Sequence, residues 1–397
     1  MRDETSVESL RHELVNRYGA PTSAVRVVRA PYRICPLGAH IDHQLGPVCA
    51  MAIDQAVLTA YAPSASNEVR LSSLDYPGEV RFRLDDVPDR QPGDWGNFPR
   101  GAVRVLQKNH DLGTGICGVT AGRFSAGGLS SSAAVSVALL LALEDVNGLD
   151  VPREENILLG QGIENEYLGL HSGILDQSAI LLSKQNHLTL IDCQSVQYRL
   201  IPSHPAMPPY SILLAFSGLT KALVGTDYNR RVAECTEAAT ILLNAVGRDI
   251  DPAVLRRVSA DEHADNQKLL TGAPALRAAH FFSEVDRVTK GVEAWQQGDL
   301  EAFGHLMSDS GVSSINNYEC GSPPLVDLYE ILIKTEGVYG ARFSGAGFRG
   351  CCVALVQRDA GPDVAEHVRR EYAQRHPDLA HDAPAVLCHS DDGARIL

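Results

Sequence analysis

Apolar residues recur at helical spacing over residues 6–18, where Leu10, Leu14 and Val15 share a face, and predict a short amphipathic helix. Residues 25–29 predict a strand leading into a loop that carries residues 30–43. Residues 46–61 have the apolar density of a buried strand pair, and 79–84 alternate like a half-exposed strand. Three prolines and two glycines within 86–99 predict a connecting loop, after which 102–108 resume helical spacing. Residues 131–143 are nearly all apolar or small and predict a buried helix. Residues 156–168 form an amphipathic pattern that stops at Gly169; 173–182 predict a further helix and 188–192 a strand.

Prolines at 202, 205, 208 and 209 interrupt all periodicity and predict a boundary between domains 1–205 and 206–397. Beyond it, a core strand is predicted at 211–217 and helices at 229–245, 276–297, 300–312 and 324–335. Strands at 341–343, 351–357 and 385–388 close the chain. Helices and strands alternate in both halves, which predicts an α/β (α+β) protein of two layered domains with a cleft between them. The pattern alone leaves the topology open.

A length of 397 residues exceeds one ordinary core and agrees with two domains. A formal charge of −14 weighs against nucleic acid as a partner and against an anionic membrane. It would also repel ATP or an acidic sugar at long range, so a site for either needs local donors and cations. The nine cysteines are scattered, odd in number and free of C-x-x-C pairs, which predicts buried thiols rather than disulfides or a metal cluster. The first 30 residues lack an apolar signal core and no run is long enough to span a bilayer, so a cytoplasmic protein is expected. Monomer and homodimer both remain open.

Chemistry concentrates in a few stretches. Gly127-Gly128-Leu129-Ser130-Ser131-Ser132-Ala133 opens the buried helix predicted from residue 131. Glycines allow close backbone approach, and a helix beginning there aims unpaired N–H groups at an anion. The loop lacks the G-K-[ST] ending of a P-loop and could also be a turn that caps a structural helix. Asp176 is a polar residue in an apolar setting; it could cap its helix or orient a hydroxyl and accept its proton. Glu164 could supply an oxygen ligand to magnesium.

Three separated signatures resemble those of the galactokinases and, more widely, the GHMP kinases. The first runs from Ala30-Pro31-Tyr32-Arg33 to Gly38-Ala39-His40-Ile41-Asp42-His43, the second is Gly-Leu-Ser-Ser-Ser-Ala-Ala from Gly128, and the third is Gly340-Ala341-Arg342-Phe343-Ser344-Gly345-Ala346-Gly347-Phe348-Arg349-Gly350. Gly173-Ile174-Leu175-Asp176-Gln177 matches a further family motif. The resemblance implies a ribosomal-protein-S5-like N-terminal domain, a ferredoxin-like C-terminal domain and catalysis in the cleft. It implies ATP and Mg2+, with the glycine loop around the phosphates and Ser132 and Glu164 on the metal. Asp176 becomes the base for an anomeric hydroxyl, Arg33 its partner, and Asp42, His40 and Tyr228 the sugar pocket. For His40, a loop-fixing role is equally open. Trp95 resembles an aromatic near adenine, although it could also be core.

Ala39 stands where galactokinases place an acid that faces the sugar's 6-position. An acid there would oppose a C6 carboxylate by about 4 kcal/mol at 4 Å and an effective dielectric of 20. Its absence also removes a charged partner of a neutral 6-hydroxyl, worth roughly 1.5–3 kcal/mol. Both effects favour a uronic acid, and the chain resembles the galacturonokinases, which phosphorylate the anomeric hydroxyl of D-galacturonate. Donors for the carboxylate must come from elsewhere; Tyr32, Arg230 and Arg349 are candidates. Galactose or another sugar, or a sugar-sensing relative without catalysis, are the alternatives.

Overall fold

A computed structural model describes residues 6–122, 127–219 and 225–397. Helix α1 (Val7–Tyr18) starts at Ser6, whose hydroxyl accepts the Ser9 N–H at 3.0 Å, and ends at Gly19 in the left-handed region. Strands β1 (Arg26–Leu37) and β2 (Pro47–Pro63) follow. The predicted loop at 30–37 is thus strand, and the predicted strand pair at 46–61 is one strand of 17 residues. Its length comes from its neighbours: one edge of β2 pairs with β1. The other serves in succession β6, β12 and β5.

The first sheet continues with β3 (Glu68–Ser73), β4 (Glu79–Arg83), β5 (Ile116–Gly122), β6 (His187–Asp192) and β7 (Gln197–Pro202). Its main path runs β13-β1-β2-β5-β3-β4, antiparallel except where β3 meets β5. One face carries α1, with Leu10 and Leu14 against Val27, Leu58 and Val119. The other face carries α2 (Asn97–Leu106), α3 (Ser131–Asn147), α4 (Arg153–Gly162) and α5 (Leu175–Leu182), packed in the main core. Helix α3 is buried as its composition predicts, and Gly148 caps it at φ 61°. Between α4 and α5 a π-helical turn, Ile163–Leu168, precedes Gly169.

The second half begins at β8 (Tyr210–Phe216) and adds α6 (Gly225–Ala245), α7 (Ala260–Asn266), α8 (Gly272–Gln297), α9 (Leu300–Asn316) and α10 (Pro323–Lys334). Strands β9 (Val338–Phe343) and β10 (Cys351–Gln357), helix α11 (Gly361–Arg375) and strand β11 (Ala385–Cys388) complete an antiparallel sheet ordered β11-β8-β10-β9. That order and the β-α-β-β-α-β succession make it ferredoxin-like. The chain then returns to the first sheet: β12 (Ser390–Asp391) pairs with β2 and β13 (Arg395–Ile396) with β1. This return departs from a division made at one point in the sequence. Arg29 on β1 holds Asp391 at 2.8 Å. All nine cysteines are buried thiols. No helix of the described residues is long and apolar enough to cross a membrane.

Candidate active site

Two cavities meet between the halves. The first, of about 280 Å3, is walled by β1 and the turn after it, the start of α5 and the glycine turn after β9. Arg33 on β1 is buried; its Nε donates to Asp176 Oδ1 at 2.7 Å and its Nη1 to the Gly128 carbonyl at 3.3 Å. The other oxygen of Asp176 accepts a hydrogen bond from the Ser130 hydroxyl. Ser130 sits at φ 57° and leaves the N-terminus of α3 uncapped by its side chain, because that hydroxyl is turned to Asp176.

Asp42, in the short turn after β1, accepts the Leu175 N–H at 3.3 Å. Burial, and then the charge of Asp176, push its carboxyl up to about 6. The same two causes push Glu164 up to about 7. Glu164 lies on the π-helical turn and accepts from Ser132 at 3.2 Å and Ser172 at 2.6 Å. Such turns are often found at functional sites. Tyr228 also lines this cavity, and burial drives its hydroxyl well above the usual phenol range, so it is a neutral donor.

His40 makes loop-fixing contacts and also lines the first cavity. Its Nε2 donates to the Gly345 carbonyl at 3.0 Å and its ring stacks on Tyr318 at 4.4 Å, which fixes the third glycine turn. A carbonyl partner requires the N–H on Nε2, and burial keeps the ring neutral. Its Nδ1 is buried, has no partner among the described residues, and remains as an acceptor beside the cavity. Ala39 lies in the wall, 4% exposed, with its carbonyl held by His280 Nε2 at 2.9 Å.

The second cavity, of about 430 Å3, contains Tyr32, Tyr76, Trp95, Phe98 and the start of α3. Gly127, Gly128, Ser132, Leu170 and Arg349 line both cavities and form their junction. Ser130 and Ser131 face the second cavity, whereas Leu129 and Ala133 are core residues lining neither. Residues 123–126 of the loop lie outside the described residues. The loop is seated on the third glycine turn: Gly128 O accepts the Ser344 hydroxyl at 2.6 Å, and a Cβ on Gly350 would fall 2.6 Å from Gly127 O.

Tyr32 lines the second cavity and not the first. Neighbouring strand residues project to opposite faces, so Tyr32 cannot share the side taken by Arg33. Arg230 lines neither cavity; its side chain is 58% exposed and lies 3.8 Å from Glu234. Both positions therefore leave the list of carboxylate donors. The sequence reading missed Cys35, Ser172, Leu175 and Arg342, all of which line the first cavity. Arg342 was visible inside the third signature, but nothing local shows that its strand delivers it to the first cavity.

The N-terminal and C-terminal GHMP kinase family models match residues 97–184 and 292–374, and the galactokinase galactose-binding signature matches 13–63. The chain is 46% identical to a galacturonokinase of Arabidopsis thaliana, with 99% of each chain covered. It is 33% identical to a galactokinase of Roseiflexus, covering 97% of this chain and 95% of that one. The crystal structure of Lactococcus lactis galactokinase complexed with galactose superposes with a TM-score of 0.90 at 30% identity, covering 98% and 99% of the two chains. The chain belongs to the GHMP kinases, in their galactokinase branch, and has their two-domain fold. It is an enzyme of the sugar-1-kinase class.

Proposed function

We propose that the protein transfers the γ-phosphoryl group of ATP to the anomeric C1 hydroxyl of D-galacturonate, giving α-D-galacturonate 1-phosphate and ADP. The observation that carries this reading is Ala39. It lies in the wall of the cavity that holds Asp176, Asp42 and Tyr228, so no side-chain acid at that point opposes a C6 carboxylate. The 46% identity to a galacturonokinase supports it independently.

In this reading the sugar occupies the first cavity, with Asp42 and the His40 Nδ1 accepting from ring hydroxyls and Tyr228 donating. Asp176 orients the C1 hydroxyl and takes its proton as the bond from O1 to the γ-phosphorus forms. The bond from that phosphorus to the β,γ-bridging oxygen breaks, and ADP leaves. Arg33 is paired with Asp176 and lies between it and the phosphate loop, where a cation offsets charge on the transferring group. ATP occupies the second cavity, its phosphates at the N-terminus of α3 and its base near Trp95.

The donor set fits Mg2+. Ser132 and Glu164 offer hard oxygens next to the junction of the cavities, and Glu164 is a buried carboxylate beside Asp176 with no cationic side chain paired to it among the described residues. When bound, the ion neutralises phosphate charge; Ser132 and Glu164 would hold it. The test is kcat/KM on galacturonate, glucuronate and galactose with Mg-ATP. Galacturonate is expected to give the highest value, and a preference for galactose removes the substrate assignment.

A further inference from the structure

Three guanidinium groups line the sugar cavity, and two are committed elsewhere. Arg33 holds Asp176. Arg349 sits over Gly127, whose Cβ would lie 3.7 Å from its Nε, and lines the nucleotide cavity as well. The third, Arg342, is 1% exposed and has no carboxylate within 4.0 Å among the described residues. Its bonds run to neutral acceptors: Nε to the Phe343 carbonyl at 3.1 Å, Nη1 to the Cys35 carbonyl at 3.3 Å, and Nη2 to the Ser314 hydroxyl at 3.5 Å. A guanidinium carries five N–H groups, so two remain, one on each terminal nitrogen.

Of the groups around it, the thiols and imidazoles are neutral as well. Burial raises the thiols of Cys35 and Cys320 to about 12, and burial lowers the rings of His40 and His280. Glu284 feels Arg342 electrostatically, yet it is already satisfied by Arg287 Nε at 2.6 Å, the Gly38 N–H at 2.9 Å and the Ser310 hydroxyl at 3.0 Å. A buried cation without a paired anion is costly. Ala39 lies in the wall of this same cavity, so position 39 supplies it with no carboxylate.

We infer that Arg342 is the specificity-determining cation of the sugar site, with the substrate's own carboxylate supplying the anion that position 39 does not. The inference rests on the uronic-acid reading and adds the residue that enforces it. Ala39 permits a charged C6 group; Arg342 rewards one. The two spare N–H groups match the two oxygens of a carboxylate. A neutral 6-hydroxyl leaves the buried charge as unpaired as it is in the sugar-free site, so the preference comes from the acid's gain.

The test compares kcat/KM for galacturonate and galactose in the parent enzyme, Arg342→Met and Arg342→Lys, with KM for ATP measured alongside. Met fills a similar buried volume without a charge to desolvate. In Arg342→Met, efficiency on galacturonate is expected to fall roughly 100-fold through KM, while galactose changes less than about threefold. Arg342→Lys should recover part of the loss. The sugar-free Arg342→Met protein should unfold at the same denaturant concentration as the parent or higher. Equal losses on both sugars, an unchanged preference, or a large loss of stability with preference intact would overturn the assignment. If Arg342→Met does not fold, Arg342→Lys decides by the ratio of the two efficiencies, which must drop. A parent that prefers galactose removes the substrate reading itself, whereas a galacturonate-preferring parent whose variants keep that preference removes Arg342 alone.

Discussion

The Nε of Arg33 stands 2.7 Å from Asp176 Oδ1, while its Nη1 reaches the Gly128 carbonyl at 3.3 Å. One guanidinium thus spans the carboxylate on α5 and the loop at the start of α3. In the proposed mechanism, the arrangement ties the position of the base to that of the phosphates.

Asp176→Asn keeps the shape of this link but removes the proton acceptor. Turnover is expected to fall by roughly 10²–10⁴, with nucleotide affinity little changed. Single-turnover kinetics and nucleotide titration check it; near-normal turnover excludes the base role.

Asp42 gives a pH signature. Its carboxyl is pushed up to about 6 by burial and by Asp176, so it is ionised above that value and protonated below. Efficiency on the sugar should decline as pH falls through about 6, because an acceptor for sugar hydroxyls becomes a donor. Asp42→Asn should start low and show a flatter profile. Parallel profiles for the two proteins would assign the decline to another group.

Gly173 faces Asp42 at close range: a Cβ there would lie 2.6 Å from both its carbonyl carbon and its Cγ. Gly173→Ala is expected to displace Asp42 and raise KM for the sugar at least tenfold, in keeping with the steep cost of misplacing a site group by about 1 Å. Steady-state kinetics on both substrates tests this, and an unchanged sugar KM contradicts it.

His280 makes folding acid-sensitive. Burial lowers its ring to about 4, so it is neutral when folded, while an unfolded His takes up a proton below about 6.5. The stability it contributes is complete above about 6.5 and disappears as pH falls toward 4. Between about pH 7.5 and about pH 5 this amounts to about 2 kcal/mol, at 1.36 kcal/mol per unit below 6.5. Denaturant unfolding of His280→Gln should show a pH dependence smaller by that amount. An unchanged dependence would place the titration elsewhere.

Ala39→Glu should restore an acid beside the sugar. Galacturonate efficiency is expected to fall far more than galactose efficiency, since about 4 kcal/mol of repulsion at 4 Å acts on the former alone. Equal losses would indicate a packing effect.

Helices with long one-sided periodicity, such as α8 and α9, were legible in sequence to within a few residues at most ends. The second sheet was legible in part through its apolar runs at β8 and β10. The strand β1 was read short because its motif residues resemble a loop in composition, while pairing with β2 keeps them extended. Strands β3, β5 and β7 and helix α11 were missed; β5 alternates weakly, and α11 is mostly polar on a face that only packing identifies. In the site, chemistry-bearing motifs were readable because glycines and acids cluster there. Tyr32 and Arg342 were not placed, since which face of a strand meets a cavity depends on neighbours far away in sequence.

The sheet that carries Arg33 is woven from distant parts of the polypeptide, because residues 390–396 lie along β1 and β2. A fragment ending near residue 205 would therefore expose bare strand edges where Ile396 and Ser390 belong, and bare edges recruit foreign strands. The N-terminal half is no portable module: on the proposed reading, transplanting its specificity into another kinase means moving side chains such as those at 39 and 342, not exchanging halves.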